Sequence, residues 1–124
     1  MKNIVLTLVL FLSSLLYAQT VQDLVAEADN YSTVTYENQK ALDKLLQAEK
    51  MDAKDFNVLW RISRSYVDIG EHLPGKSDAE KEKQLELYQK SLDYAEKAIK
   101  AKPDDAMGYI RRAIANGRVA LFKG

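Results

Sequence analysis

The segment K40-ALDKLLQAEKMDAKDFNVLWRIS-R64 decides the fold when it is set beside K90-SLDYAEKAIKAKPDDAMGYIRRA-I114. At an offset of fifty residues the two share Lys40/Lys90, Leu42/Leu92, Asp43/Asp93, Ala48/Ala98, Lys50/Lys100, Asp55/Asp105 and Arg61/Arg111. Aligned positions that differ keep their character, as in Ala41 with Ser91, Leu45 with Ala95, Leu59 with Tyr109 and Trp60 with Ile110. Self-similarity at a fixed spacing is the mark of a repeated supersecondary unit. The economical reading is one helix-turn-helix unit present twice; chance similarity between two amphipathic helices is the alternative.

Each copy has a helical period. Tyr88, Leu92, Ala95 and Ile99 recur at three- and four-residue steps beside Ser91 and Ala98, forming an apolar stripe opposite lysines and glutamates. Small residues on that stripe let a neighbouring helix approach closely. Pro103 ends the helix because it has no N–H to donate and cannot sit inside a turn, and Asp104 or Asp105 can cap the next one. Ala53 replaces the proline in the first copy, leaving Asp55 as the cap. Connections this short imply antiparallel neighbours. The spacing predicts helices near 21–32, 34–51, 56–70, 78–102 and 105–122, an all-α architecture.

Composition restricts function. The chain has 124 residues, with 18 basic side chains against 18 acidic ones. That balance removes the electrostatic footprint of a nucleic-acid binder and of a polybasic membrane surface. One domain of this size has a modest core. Cysteine is absent, so disulfides, thiolate metal sites and lipid-modified cysteines are excluded.

The N-terminus addresses the compartment. MKNIVLTLVLFLSSLLYAQT, residues 1–20, has a single charge at Lys2, an apolar run from Ile4 to Leu16 and Ala18 before Gln19. This is the layout of a secretory signal peptide. The run is about 13 residues, short of the roughly 20 needed to span a bilayer. The expectation is a leader over residues 1–18, a mature protein beginning at Gln19, and a periplasmic or secreted location without a stable membrane span. An uncleaved N-terminal anchor is the alternative.

Leu59, Ile62, Ser63, Tyr66 and Gly70, followed by Ser91, Ala95, Ala98 and Pro103, resemble the tetratricopeptide repeat signature. Ala41, Leu45 and Ala48 match the second helix of a preceding repeat, and Tyr109 and Ala113 the first helix of a following one. The resemblance implies a tetratricopeptide-like α-solenoid over residues 19–124. The repeat unit is about 16 residues longer than the usual 34, with the excess in EHLPGKSDAEKEKQLE, residues 71–86. An LWR-type first helix, a charged insertion and an AEKAI second helix together resemble the repeat domain of the regulator of microtubule dynamics family and its bacterial relatives. That resemblance implies the architecture; an exported chain would not meet microtubules. Arg112 stands where the repeat prefers leucine and Asn116 where it prefers tyrosine.

Within the insertion, Pro74-Gly75 marks a turn and Ser77 with Glu80 forms a capping box. The charges that follow suit a solvated lengthening of the second helix, with a charged docking surface as the other reading. His72 is the only histidine, too few for a zinc site of three or four ligands. There is no glycine-serine elbow, no phosphate-cradling loop and no base paired with a nucleophile, so the sequence is read as non-enzymatic, without cofactor or metal.

By resemblance, the concave groove would be lined by Asn57, Trp60, Arg64 and Asp68 of one first helix and by Met107, Ile110, Ile114 and Arg118 of the next. The spacing of the first set agrees with a shared helix face. Trp60 and Arg64 are residue types that anchor partners at interface hot spots. The other reading has Trp60 covered by the insertion and Arg64 paired with Asp68. Trp60 and Arg64 replace the lysine and asparagine of the carboxylate clamp in chaperone-binding repeats, which disfavours that kind of C-terminal peptide. The expected function is an exported protein- or peptide-binding scaffold. The alternatives are a structural segment of a longer solenoid and a helical pocket for a lipid or small molecule. The apolar positions of RVALFKG, residues 118–124, further predict self-association through the last helix, or a domain truncated at its C-terminus whose next helix covers that face.

Overall fold

The computed structural model describes residues 18–123. Among them are five helices and no strand: α1 Val21–Thr33, α2 Asn38–Met51, α3 Phe56–Glu71, α4 Asp78–Ala101 and α5 Ala106–Ala120. The expected leader falls on residues 1–18, of which all but Ala18 lie outside the described residues. No helix among the described residues is long and apolar enough to cross a membrane.

The fifty-residue repeat is present in three dimensions. Helices α2 and α4 end at Met51 and Ala101, and α3 and α5 begin at Phe56 and Ala106. The turns between them close alike: Asp52 N–H bonds to the Ala48 carbonyl at 3.0 Å, as Lys102 N–H does to that of Ala98. Asp55 and Asp105 then cap the following helices, accepting from the N–H groups of Val58 at 3.1 Å and Met107 at 2.9 Å. The packing register repeats too, because Ala41, Leu45 and Ala48 of α2 and Ser91, Ala95 and Ala98 of α4 are all fully buried. Burial of such a small-residue stripe brings the helix axes close and converts the sequence period into a stack.

Two layers result. Helix α3 packs between α2 and α4 and also touches α1 and α5, whereas α2 and α4 have no close backbone approach and are bridged by Tyr94 Oη, which donates to Glu49 at 2.9 Å. The row α1–α3–α5 therefore forms the inner face, with α2 and α4 splayed behind it. Leu24 and Ala28 of α1, Leu42 and Leu45 of α2, and Val58 and Ile62 of α3 share one core; Val67, Tyr88 and Val119 form a second. Between α3 and α4, Ser63 and Ser91 each donate a hydroxyl to the other's carbonyl, both at 2.8 Å. These reciprocal bonds satisfy polar groups that burial would otherwise leave costly.

The insertion forms the turn and the N-terminal part of α4. Ser77 caps that helix with Glu80 answering from its third position, the expected capping box. Gln84 then donates to the carbonyls of Gly70 at 3.0 Å and Leu73 at 3.3 Å, tying the extension to the end of α3. The lengthening is thus anchored to the end of the preceding helix.

One boundary differs from expectation. Helix α2 begins at Asn38 rather than at residue 34, because Tyr36 adopts a positive φ of 56° that a right-handed helix cannot contain. Val34 and Thr35 N–H groups both turn back to the Asn30 carbonyl, closing α1. At the far end, residues 121–123 form i to i−3 bonds in place of the last helical turn.

Two glycines test the packing from opposite sides. A Cβ on Gly70 would lie 2.6 Å from a ring carbon of buried Tyr88, whereas one on Gly117 would meet nothing within 4 Å. Gly117→Ala should stabilise the chain by up to about 1 kcal/mol through helix propensity alone. Gly70→Ala has the same propensity gain but must displace the ring, so a net loss of about 1 kcal/mol is expected. Thermal melts of the two variants should move in opposite directions.

Candidate functional site

The centre of the inner face is Trp60. Its spacing from α3's buried positions Leu59, Ile62 and Ser63 turns the indole off the core, where it remains half-buried. Three guanidinium groups surround it, with carbon centres 4.1 Å (Arg61), 5.2 Å (Arg64) and 5.7 Å (Arg111) from the ring centroid. Arginine over an indole face is favourable because the ring's quadrupole presents negative density to the cation. Arg111 belongs to α5, so the indole joins two inner helices.

The third inner helix contributes Asp29. Arg61 donates to its carboxylate from Nε at 2.9 Å and from Nη2 at 3.0 Å, and Arg64 from Nη2 at 2.9 Å. Both arginine side chains are about 85% buried, at 15% and 14% exposure, so these bonds are charge-assisted in a partly dry setting. Burial alone would raise the Asp29 pKa, but the hydrogen bonds and charges of Arg61 and Arg64 outweigh it and hold the carboxyl below its usual value. The alternative pairing of Arg64 with Asp68 is corrected: Arg64 reaches across to α1.

Asp68, half-buried one turn beyond Arg64, has no ion pair among the described residues. Burial pushes its pKa up, and attraction from Arg64 and Arg111 does not compensate. Arg111 is displaced in the complementary sense, lowered by burial and by repulsion from Arg64.

The other expected groove residues divide. Asn57 is exposed and accepts from Arg61 Nη1 through its backbone carbonyl at 3.0 Å. On α5, Met107, Arg111, Ile114 and Arg118 are half-buried at steps of four, three and four, while Ile110, which the repeat aligns with Trp60, is 47% exposed. Ile114 packs against the Val67–Tyr88–Val119 cluster, and Arg118 donates from Nε to Glu71 at 2.6 Å. The structure thus brings Trp60, Arg64 and Asp68 together with Asp29, Arg61 and Arg111, which were not in the expected set. Arg111 had a signal: its identity with Arg61 across the repeat.

Elsewhere the surface has an open depression of about 400 Å³ lined by Ala53, Lys54, Leu59, Lys97, Lys100 and Ala101. It contains no group paired for chemistry, so the charged cluster is the better candidate site. Among the described residues no three histidines, aspartates or glutamates assemble into a metal-binding group. His72 instead places Nδ1 2.6 Å from the Asp68 carbonyl.

An all-α stack of antiparallel helix pairs, presenting a row of first helices with a charged aromatic centre, defines a helical-repeat domain. The family model Regulator of microtubule dynamics protein 1-3 matches residues 24–124, and the chain belongs to that family. Neither the curated proteins nor the solved structures contain a match to it.

Proposed function

We propose that the chain is an exported, non-catalytic binding module of tetratricopeptide type that holds a partner protein or peptide on the face formed by α1, α3 and α5. The observation that supports this reading is the half-buried Trp60, ringed by arginines from two helices. Tryptophan and arginine concentrate binding energy when a partner desolvates them. Nothing at this face pairs a nucleophile with a base, which favours binding over chemistry. The exported location rests on the leader-like residues 1–18; family membership contributes the architecture, and regulation of microtubules is not part of the proposal.

Affinity capture from the periplasmic or secreted fraction tests it. A partner retained by the native chain should be released by Trp60→Ala, with affinity lowered about thirtyfold, the effect of a hot spot of about 2 kcal/mol. Equal retention by both, with matching melting curves, would sink the assignment of this face.

A further inference from the structure

The five arginines of the chain are not equivalent. Arg61 and Arg64 share Asp29, Arg112 lies 3.8 Å from Glu96, and Arg118 bonds to Glu71. Arg111 alone among them forms no ion pair among the described residues. Its Nε is buried and has no acceptor, and the Nε of neighbouring Arg64 is in the same condition. Asp68 is near enough to attract Arg111 but not to bond with it. Around the indole, three guanidinium groups therefore face two carboxylates, Asp29 and Asp68, leaving one positive charge in a half-buried position. Buried donors without acceptors are costly, and a planar guanidinium is matched in shape by a carboxylate.

Resting on the partner-binding reading above, we propose that the face around Trp60 takes an acidic segment of a partner protein, seating an aspartate or glutamate carboxylate against Arg111 and Arg64 with its aliphatic stem over Trp60. Met107 and Ile114, half-buried on the same side of α5, supply apolar contact beside that carboxylate. One net charge set between helices suits a single carboxylate. An anionic membrane surface is instead bound by many spread cations, and this chain's charges balance at 18 and 18.

Trp60 is the sole tryptophan, so its fluorescence reports the site without a label. The probe is a blocked octapeptide of alternating glutamate and leucine, compared with its glutamine counterpart and with phosphatidylcholine vesicles containing phosphatidylglycerol. The glutamate peptide should perturb Trp60 and bind about tenfold more tightly than the glutamine peptide, the size of one charge-assisted bond. Added salt should shrink the difference. In Arg111→Gln the two peptides should bind alike, and Arg111→Lys should keep part of the preference, with melting curves establishing that both variants fold. Equal binding of the two peptides to the native chain overturns the acidic preference while leaving Trp60 a partner site. Absence of any peptide response, or a response to the vesicles alone, overturns the proposal.

Discussion

Ala98→Trp should melt well below the native chain, by about 10–20 °C. Ala98 is wholly buried on the small-residue stripe of α4. Beside it, the backbone of Ile99 lies 3.1 Å from where a Cβ on Gly108 of α5 would stand, so the two helices are in close contact there. An indole cannot enter without moving one helix away. Overpacking costs about 1–3 kcal/mol, and the size of this change places it at the upper end; each kcal/mol moves the midpoint of a domain near one hundred residues by about 4–8 °C. Lys97→Trp is the control, since Lys97 is exposed with Nζ 4.3 Å from the Tyr94 ring centroid. Its effect should stay within about 0.5 kcal/mol. Ala48→Trp, the equivalent in the first copy, should behave like Ala98→Trp. Equal melting of the position-97 and position-98 variants would break the registration of the repeat.

That registration is also what made the fold legible. Alternating small and large apolar residues at helical steps, Pro103, and the aspartates at 55 and 105 are local signals, and local physics fixed the corresponding helix ends. The start of α2 was not legible, because a tyrosine with positive φ leaves no trace in hydrophobic periodicity. At the site, Trp60, Arg64 and Asp68 could be found from their spacing on a single helix. Arg111 required taking the repeat identity with Arg61 as a statement about position, so that the two arginines approach Trp60 from α3 and α5. Asp29 could not be found in either way. It lies outside the aligned copies and 32 residues from Arg61, and only the tertiary arrangement of α1 against α3 joins them.

Asp29→Asn is the change with the greatest expected effect on the site itself. It keeps the shape of the side chain but leaves Arg61, Arg64 and Arg111 about one indole with Asp68 as the nearest carboxylate. Breaking an interior ion pair costs about 3–5 kcal/mol; Asp29 is 35% exposed, and solvent screening reduces the expectation to about 1–3 kcal/mol at neutral pH. The sign of the pH dependence follows from its lowered pKa. A carboxyl held below its unfolded value contributes stability that is complete above that value, near 3.8, and disappears as pH falls through the folded value. The native chain and Asp29→Asn should therefore differ most at neutral pH and begin to converge as pH falls below about 4, meeting only below the lowered folded value. Asp68 has the opposite sign. Its pKa is raised chiefly by burial, so its contribution is largest when protonated and is lost as pH rises through the folded value. Asp68→Asn should consequently stabilise the chain at neutral pH, and that gain should fade on acidification. Denaturant unfolding of the two variants from pH 3 to pH 7 separates the roles: one carboxylate locks the arginines, and the other is an unpaired charge facing them. If both variants lost stability equally at neutral pH, Asp68 would also be part of the lock, and the positive charge assigned to Arg111 would already have its partner.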